Sequence, residues 1–130
     1  KSKKEMINIP IVGKVTAGLP ILATENIEDT FPVPLEYVKH DRELFMLRVT
    51  GESMKKVGIN NNDLAIIEKK ESAENGDIAA VDIEGNATLK TYRPMGNQVI
   101  LIPENDAYEP IMLEEGQFNI IGTLVGIIKQ

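Results

Sequence analysis

The chain has 130 residues, 42% of them hydrophobic, enough to bury one core and too few for two ordinary domains. Its 20 acidic residues against 14 Lys and Arg give a formal charge of -6, so it lacks the positive field that neutralises phosphates and is not expected to hold DNA by itself. There is no cysteine, which removes disulfides, thiolate metal sites and a cysteine nucleophile together. Apolar runs such as Leu124 to Ile128 are far shorter than the roughly 20 residues a membrane span needs, and no secretory apolar segment follows Lys4. A cytoplasmic protein with no membrane association is the simplest expectation.

In chain order, residues 1–8 open with the polar run Lys1-Ser2-Lys3-Lys4-Glu5 and read as a linker remnant. The first residue is Lys1, so the chain is expected to be a piece of something longer, with one domain over residues 9–130. Phe45, Leu47 and Val49 alternate with Met46, Arg48 and Thr50, which predicts a half-buried strand ending at Gly51. Strands are predicted over Leu64 to Glu68 after the turn Asn60-Asn61-Asn62-Asp63, and over Ile78 to Ile83 after Asn75-Gly76-Asp77. A hairpin connection at Glu84-Gly85-Asn86 leads to Ala87–Arg93, with Thr88, Lys90 and Tyr92 on one face and Ala87, Leu89 and Thr91 on the other. Gln98 to Ile102 and Phe118 to Ile128 complete the predicted strands, and single helical turns are placed at Ser53 and near Leu35. No amphipathic helix of 3.6-residue period appears, so the fold class is mostly β: a coiled, barrel-like mixed sheet of short strands.

Several chemistries fail on residue type. The one histidine, His40, lies among Lys39, Asp41, Arg42 and Glu43, a charged surface stretch unsuited to a Ser/His/Asp triad or a histidine-rich zinc site. Asn60 to Asp63 supplies one carboxylate and no glutamate at calcium-loop spacing, so it reads as a turn. Neither Gly13 nor Gly18 belongs to a phosphate-binding glycine pattern. No metal and no cofactor are implied. A serine activated by a lysine remains possible, because burial can remove the charge of an amine and leave a competent base. Three serines and eleven lysines are available. Taken alone, Ser53 after a glycine reads as a turn residue and Lys90 as a solvated strand residue.

Three motifs break that tie. Val15-Thr16-Ala17-Gly18, then Val49-Thr50-Gly51-Glu52-Ser53-Met54, then Ala87-Thr88-Leu89-Lys90 resemble, in order and spacing, the LexA repressor family of self-cleaving peptidases, which also includes UmuD and phage repressors. Ser53 lies 36 positions after Ala17 and 37 before Lys90. Asp63-Leu64, Leu101-Ile102-Pro103-Glu104-Asn105 and Gly126-Ile127-Ile128-Lys129 extend the similarity over nearly the whole chain from Ile9. Asn62 stands where the family often has glycine, and Thr91 where arginine is common.

The resemblance implies a fold like that of LexA and signal peptidase, and a function as the C-terminal domain of an SOS-response repressor. Ser53 would be the nucleophile, Lys90 its base and Ala17-Gly18 the scissile bond of the chain itself, with Val15 and Thr16 making cleavage-loop contacts. The backbone N–H groups of Ser53 and Glu52 would form the oxyanion hole. The implied partners are a second copy of the chain through Asn119 to Ile128, an activated RecA filament that stimulates cleavage, and operator DNA bound only through an N-terminal domain. A UmuD-like polymerase accessory protein or a phage repressor would carry the same dyad. A noncatalytic β interaction module, with Ser53 and Lys90 as ordinary surface residues, is the reading from a different class.

Overall fold

A strand that is apolar on alternate residues needs one covered face, whereas a strand apolar on every residue needs two. Both kinds occur in the computed structural model, which describes residues 5–38 and 41–130. Among these residues the strands are β1 (Met6–Val12), β2 (Ile27–Pro34), β3 (Leu44–Arg48), β4 (Leu64–Lys69), β5 (Ile78–Ile83), β6 (Asn86–Met95), β7 (Gln98–Ile102), β8 (Ile111–Glu114) and β9 (Asn119–Ile128). They form one sheet in the order β2-β1-β3-β4-β9-β5-β6-β7-β8. β1 runs parallel to β3, through Ile11 opposite Met46 and Val12 opposite Leu47. The other pairings are antiparallel, so the sheet is mixed and the chain mostly β, as its turn-punctuated apolar runs predict.

Three apolar clusters explain why the sheet curls. Along β3 and β4, Phe45, Leu47, Ala65 and Ile67 enter a central core, while Leu44, Met46, Leu64 and Ile66 enter a second core. β5 divides likewise, Ala80 facing the central core and Ala79 and Val81 a third one with Val99 and Leu101. The middle strands are therefore covered on both faces, which requires the sheet ends to fold back over them. This corrects the half-buried reading of β3: Met46 is fully buried because β1 and β2 bring Ile9, Ile11 and Val33 over its face. Bulges between Ile66 and Ile67 and between Ala80 and Val81, both opposite β9, supply local bends.

β1, β2 and β8 have no counterpart among the predicted strands. Pro10, Pro32 and Pro34 remove ladder donors from β1 and β2, a composition that argues against a strand unless it lies at a sheet edge, where β2 lies. β8 has only four residues and sits at the other edge. Within the stretch read as a linker, Met6, Ile7 and Asn8 pair with Pro34, Val33 and Pro32. Ile7 packs against the second core, which gives this stretch a reason to be strand. Lys1 to Lys4 of that linker, and the surface assignment of His40, lie outside the described residues. The two predicted helical turns are single 3-10 turns, at Leu35–Tyr37 and, two residues later than Ser53, at Lys55–Val57, and a third that the sequence does not predict lies at Thr24–Asn26.

Candidate active site

The chain leaves β3 and turns at Gly51, whose φ of +83° suits glycine and whose N–H donates to Asn61 Oδ1 at 2.8 Å. Two residues after Glu52, Met54 is buried in the central core. The loop is held from a second direction by the segment that follows β7. Asn105 Nδ2 donates to the Glu52 carbonyl at 2.8 Å, the Lys56 N–H donates to the Glu104 carbonyl at 2.8 Å, and Lys56 Nζ meets Asp106 at 2.7 Å. Ser53 is thus fixed between a buried anchor and a pair of backbone clamps. Among the described residues, the backbone N–H groups of Glu52 and Ser53 donate to no protein acceptor, so both are available to an incoming anion.

Lys90 stands in β6, opposite Ala79 of β5. Adjacent strand residues point to opposite faces, yet Leu89 and Lys90 are 7% and 8% exposed respectively, because both faces of β6 are covered here. Lys90 Nζ lies 3.1 Å from Ser53 Oγ and donates to Thr88 Oγ1 at 2.6 Å. Burial pushes the Lys90 amine below its ordinary value of 10.5, since a charged ammonium loses hydration in an apolar setting. No carboxylate bonds to it among the described residues. The arrangement can draw the proton from the Ser53 hydroxyl once Lys90 is neutral, with the direction of the 3.1 Å hydrogen bond reversed so that Oγ donates.

The Val15 to Gly18 segment lies between β1 and β2. Val15 is half-buried against the central core, and Thr16 Oγ1 donates to Asn26 Oδ1 at 2.8 Å. Ala17 and Gly18 are exposed at the middle of a turn closed by the Leu19 N–H donating to the Thr16 carbonyl at 3.2 Å. Gly18 has φ of +84°, the left-handed value a type II turn needs at its third residue. The structure therefore brings Ser53 and Lys90 into contact, whereas no hydrogen bond joins Ala17 or Gly18 to either of them among the described residues. A groove lined by Val15, Leu47, Arg48, Thr50 and Ala87 adjoins a small depression lined by Arg48, Thr50, Ser53, Ala87 and Thr88. The loop and Ser53 share one surface.

Three contributors are given no role by the sequence alone. Thr88 was on the correct face of its strand, and its spacing of two from Lys90 is the signal that could have found it. Asn105 belongs to a recognised motif, without a role that spacing could give it. Asn26, at 1% exposure, bonds to backbone carbonyls around the Ala17-Gly18 turn and is marked by no pattern.

Residues 10–125 match the family described as Peptidase S24-like. The chain is 55% identical over 129 residues to a LexA repressor of Clostridium botulinum (strain Hall), covering 99% of this chain and 63% of that protein. It is 56% identical over 127 residues to a LexA repressor of Clostridium perfringens (strain SM101), covering 98% of this chain and 62% of that one. The chain thus spans less than two thirds of the length of the curated relatives it matches. With a family match that runs from β1 into β9, the chain belongs to the Peptidase S24-like family.

Proposed function

We propose that this domain cuts its own Ala17-Gly18 peptide bond and that the cut inactivates an SOS-response repressor of which it is the C-terminal part. The observation that carries the reading is the 3.1 Å contact between Ser53 Oγ and a buried, desolvated Lys90 Nζ. Neutral Lys90 takes the hydroxyl proton as Ser53 Oγ attacks the carbonyl carbon of Ala17. The resulting oxyanion is met by the N–H groups of Ser53 and Glu52. As the Ala17–Gly18 bond breaks, Lys90 passes the proton to the Gly18 amine, and water then hydrolyses the Ala17 ester on Ser53 with Lys90 again as base. Thr88 Oγ1 orients the amine throughout.

Substrate and catalyst share one chain, so an attacking group permanently beside its target would act at effective molarities of ~10⁵ M or more. A repressor must stay intact until needed, and a docked loop population of about 1% slows the reaction ~100-fold. The shift toward docking would come from an activated RecA filament, as the family resemblance implies. Operator DNA would be bound by the portion of the longer relatives that this chain does not span, in keeping with the chain's charge of -6. Cleavage would separate that portion from the half that pairs it, removing bivalent binding.

The homodimer surface proposed here is the side-chain face at the end of β9. β9 lies between β4 and β5, so its ladder groups are occupied within the sheet. Val125 is 51% exposed, and Val125, Ile127 and Ile128 border an apolar groove completed by Phe31, Val33 and Tyr37.

Two substitutions test the dyad. Ser53→Ala is expected to leave a folded chain that is not cut at any pH. Lys90→Arg is expected to stay uncut even under alkaline conditions, because a guanidinium does not deprotonate. In the parent, the rate climbs with pH as Lys90 loses its proton. A pH-independent rate removes Lys90 from the role, and cutting at Gly18 by Ser53→Ala means another nucleophile acts.

A further inference from the structure

Asn26 closes the 3-10 turn Thr24–Asn26 just before β2 and directs every polar group it has onto the loop that contains Ala17-Gly18. Its Nδ2 donates to the carbonyls of Pro20 and Ile21, each at 3.1 Å, and its Oδ1 accepts from Thr16 Oγ1 at 2.8 Å. Its backbone N–H donates to the Ala23 carbonyl at 2.9 Å, and its carbonyl accepts from the Gly13 N–H at 2.8 Å. One carboxamide therefore ties the strand side of the scissile bond, at Thr16, to the departing side, at Pro20 and Ile21.

The loop so tied is packed on the catalytic half of the molecule. Ile21 is buried in the central core with Met54 and Leu89, the sequence neighbours of Ser53 and Lys90, and Val15 and Leu22 pack against the same cluster. Without the carboxamide, the Pro20 carbonyl would keep the Ala23 N–H at 3.0 Å, but the Ile21 carbonyl, bonded in a buried setting, would need water, which reaches it only if the loop lifts from the core. We propose that Asn26 is a positioning residue for self-cleavage: it holds residues 13–26 folded onto the body, so that the Ala17-Gly18 turn is presented beside the groove leading to Ser53. The proposal rests on the self-cleavage reading above. It also explains the residue type. Two donors and one acceptor are needed at a single buried point, and an aspartate there would set a carboxylate against two carbonyl oxygens.

The test separates the chain as substrate from the chain as catalyst. Asn26→Ala is expected to slow self-cleavage under alkaline conditions about tenfold, equivalent to about 1.4 kcal/mol. The same variant is expected to cut a synthetic peptide of residues 10–26 at least as fast as the parent does, since its dyad is intact and its own loop is displaced. In a Ser53→Ala background, amide exchange at Leu19 and Ala23 should speed up with Asn26→Ala while Lys55 and Gly58 keep their protection. An unchanged or faster self-cleavage rate overturns the proposal, as does a peptide-cleavage loss that matches the loss within the chain. If Asn26→Ala does not fold, Thr16→Val, which deletes one of the three bonds, is expected to slow self-cleavage roughly threefold, and no slowing overturns the proposal. If the parent chain itself is never cut at Gly18, the self-cleavage reading fails. The clamp is then judged by exchange alone, and retained protection at Leu19 and Ala23 overturns it.

Discussion

A lysine amine can act as a base only when it is uncharged, and Lys90 approaches that condition because both faces of β6 are covered around it. Burial depresses its pKa below 10.5, so folding disfavours the protonated form. That penalty is fully present below the depressed pKa and vanishes above 10.5, the ordinary value. Replacing the residue with methionine removes the penalty. The stability of Lys90→Met relative to the parent is therefore expected to grow as pH falls from the ordinary lysine range and to level off below the depressed pKa. Urea unfolding of both chains at several pH values reads this, and a difference that does not vary with pH contradicts a desolvated Lys90. At this scale the sequence was only partly legible. Ser53 and Lys90 are one of three serines and one of eleven lysines, and nothing in their own residue types marks them. Their selection came from three motifs in order. Asn26 stayed hidden because its partners are mostly backbone carbonyls, which leave no trace in side-chain patterns.

Elements were easier to read where turn residues set the strand starts. Asn75-Gly76-Asp77 and Glu84-Gly85-Asn86 bracket β5 as the sequence predicts, and β7 begins and ends where expected. Prolines concealed β1 and β2, and the second face of β3 was concealed because the strands that cover it are those two. Close approach of β9 to β4 gives one glycine a clear structural duty. A Cβ on Gly122 would lie 2.3 Å from the Glu68 carbonyl oxygen and 2.4 Å from Ile67 Cγ2, so the strands must part to admit it. Gly122→Ala is expected to destabilise the domain by about 2 kcal/mol. Gly126→Ala, whose Cβ would come no closer than 3.4 Å to the Ile66 side chain, is expected to cost less than 1 kcal/mol, roughly what ordinary contact implies. Equal costs in chemical denaturation would contradict the close packing of β9 on β4 at Glu68. The β9 end is tied down separately: Lys129 Nζ meets both Asp63, buried next to the Ser53 loop, and the Gly58 carbonyl. That ion pair, with the Asn60 N–H, holds the Asp63 carboxyl below its ordinary 3.8.

For the whole molecule, one curled sheet places the Ser53 loop, the Lys90 strand and the loop between β1 and β2 around a single central core. This arrangement explains how a serine can meet a candidate base that is not a histidine, and how the loop between β1 and β2 comes to lie on the same surface. All of this converges on a bond between two named residues. The most direct measurement is the intact mass of the purified chain after incubation at alkaline pH, compared with Ser53→Ala. Two products are predicted for the parent, residues 1–17 and residues 18–130, with no such products from the variant. A parent chain that remains whole at every pH, or a cut at any other bond, would contradict the account.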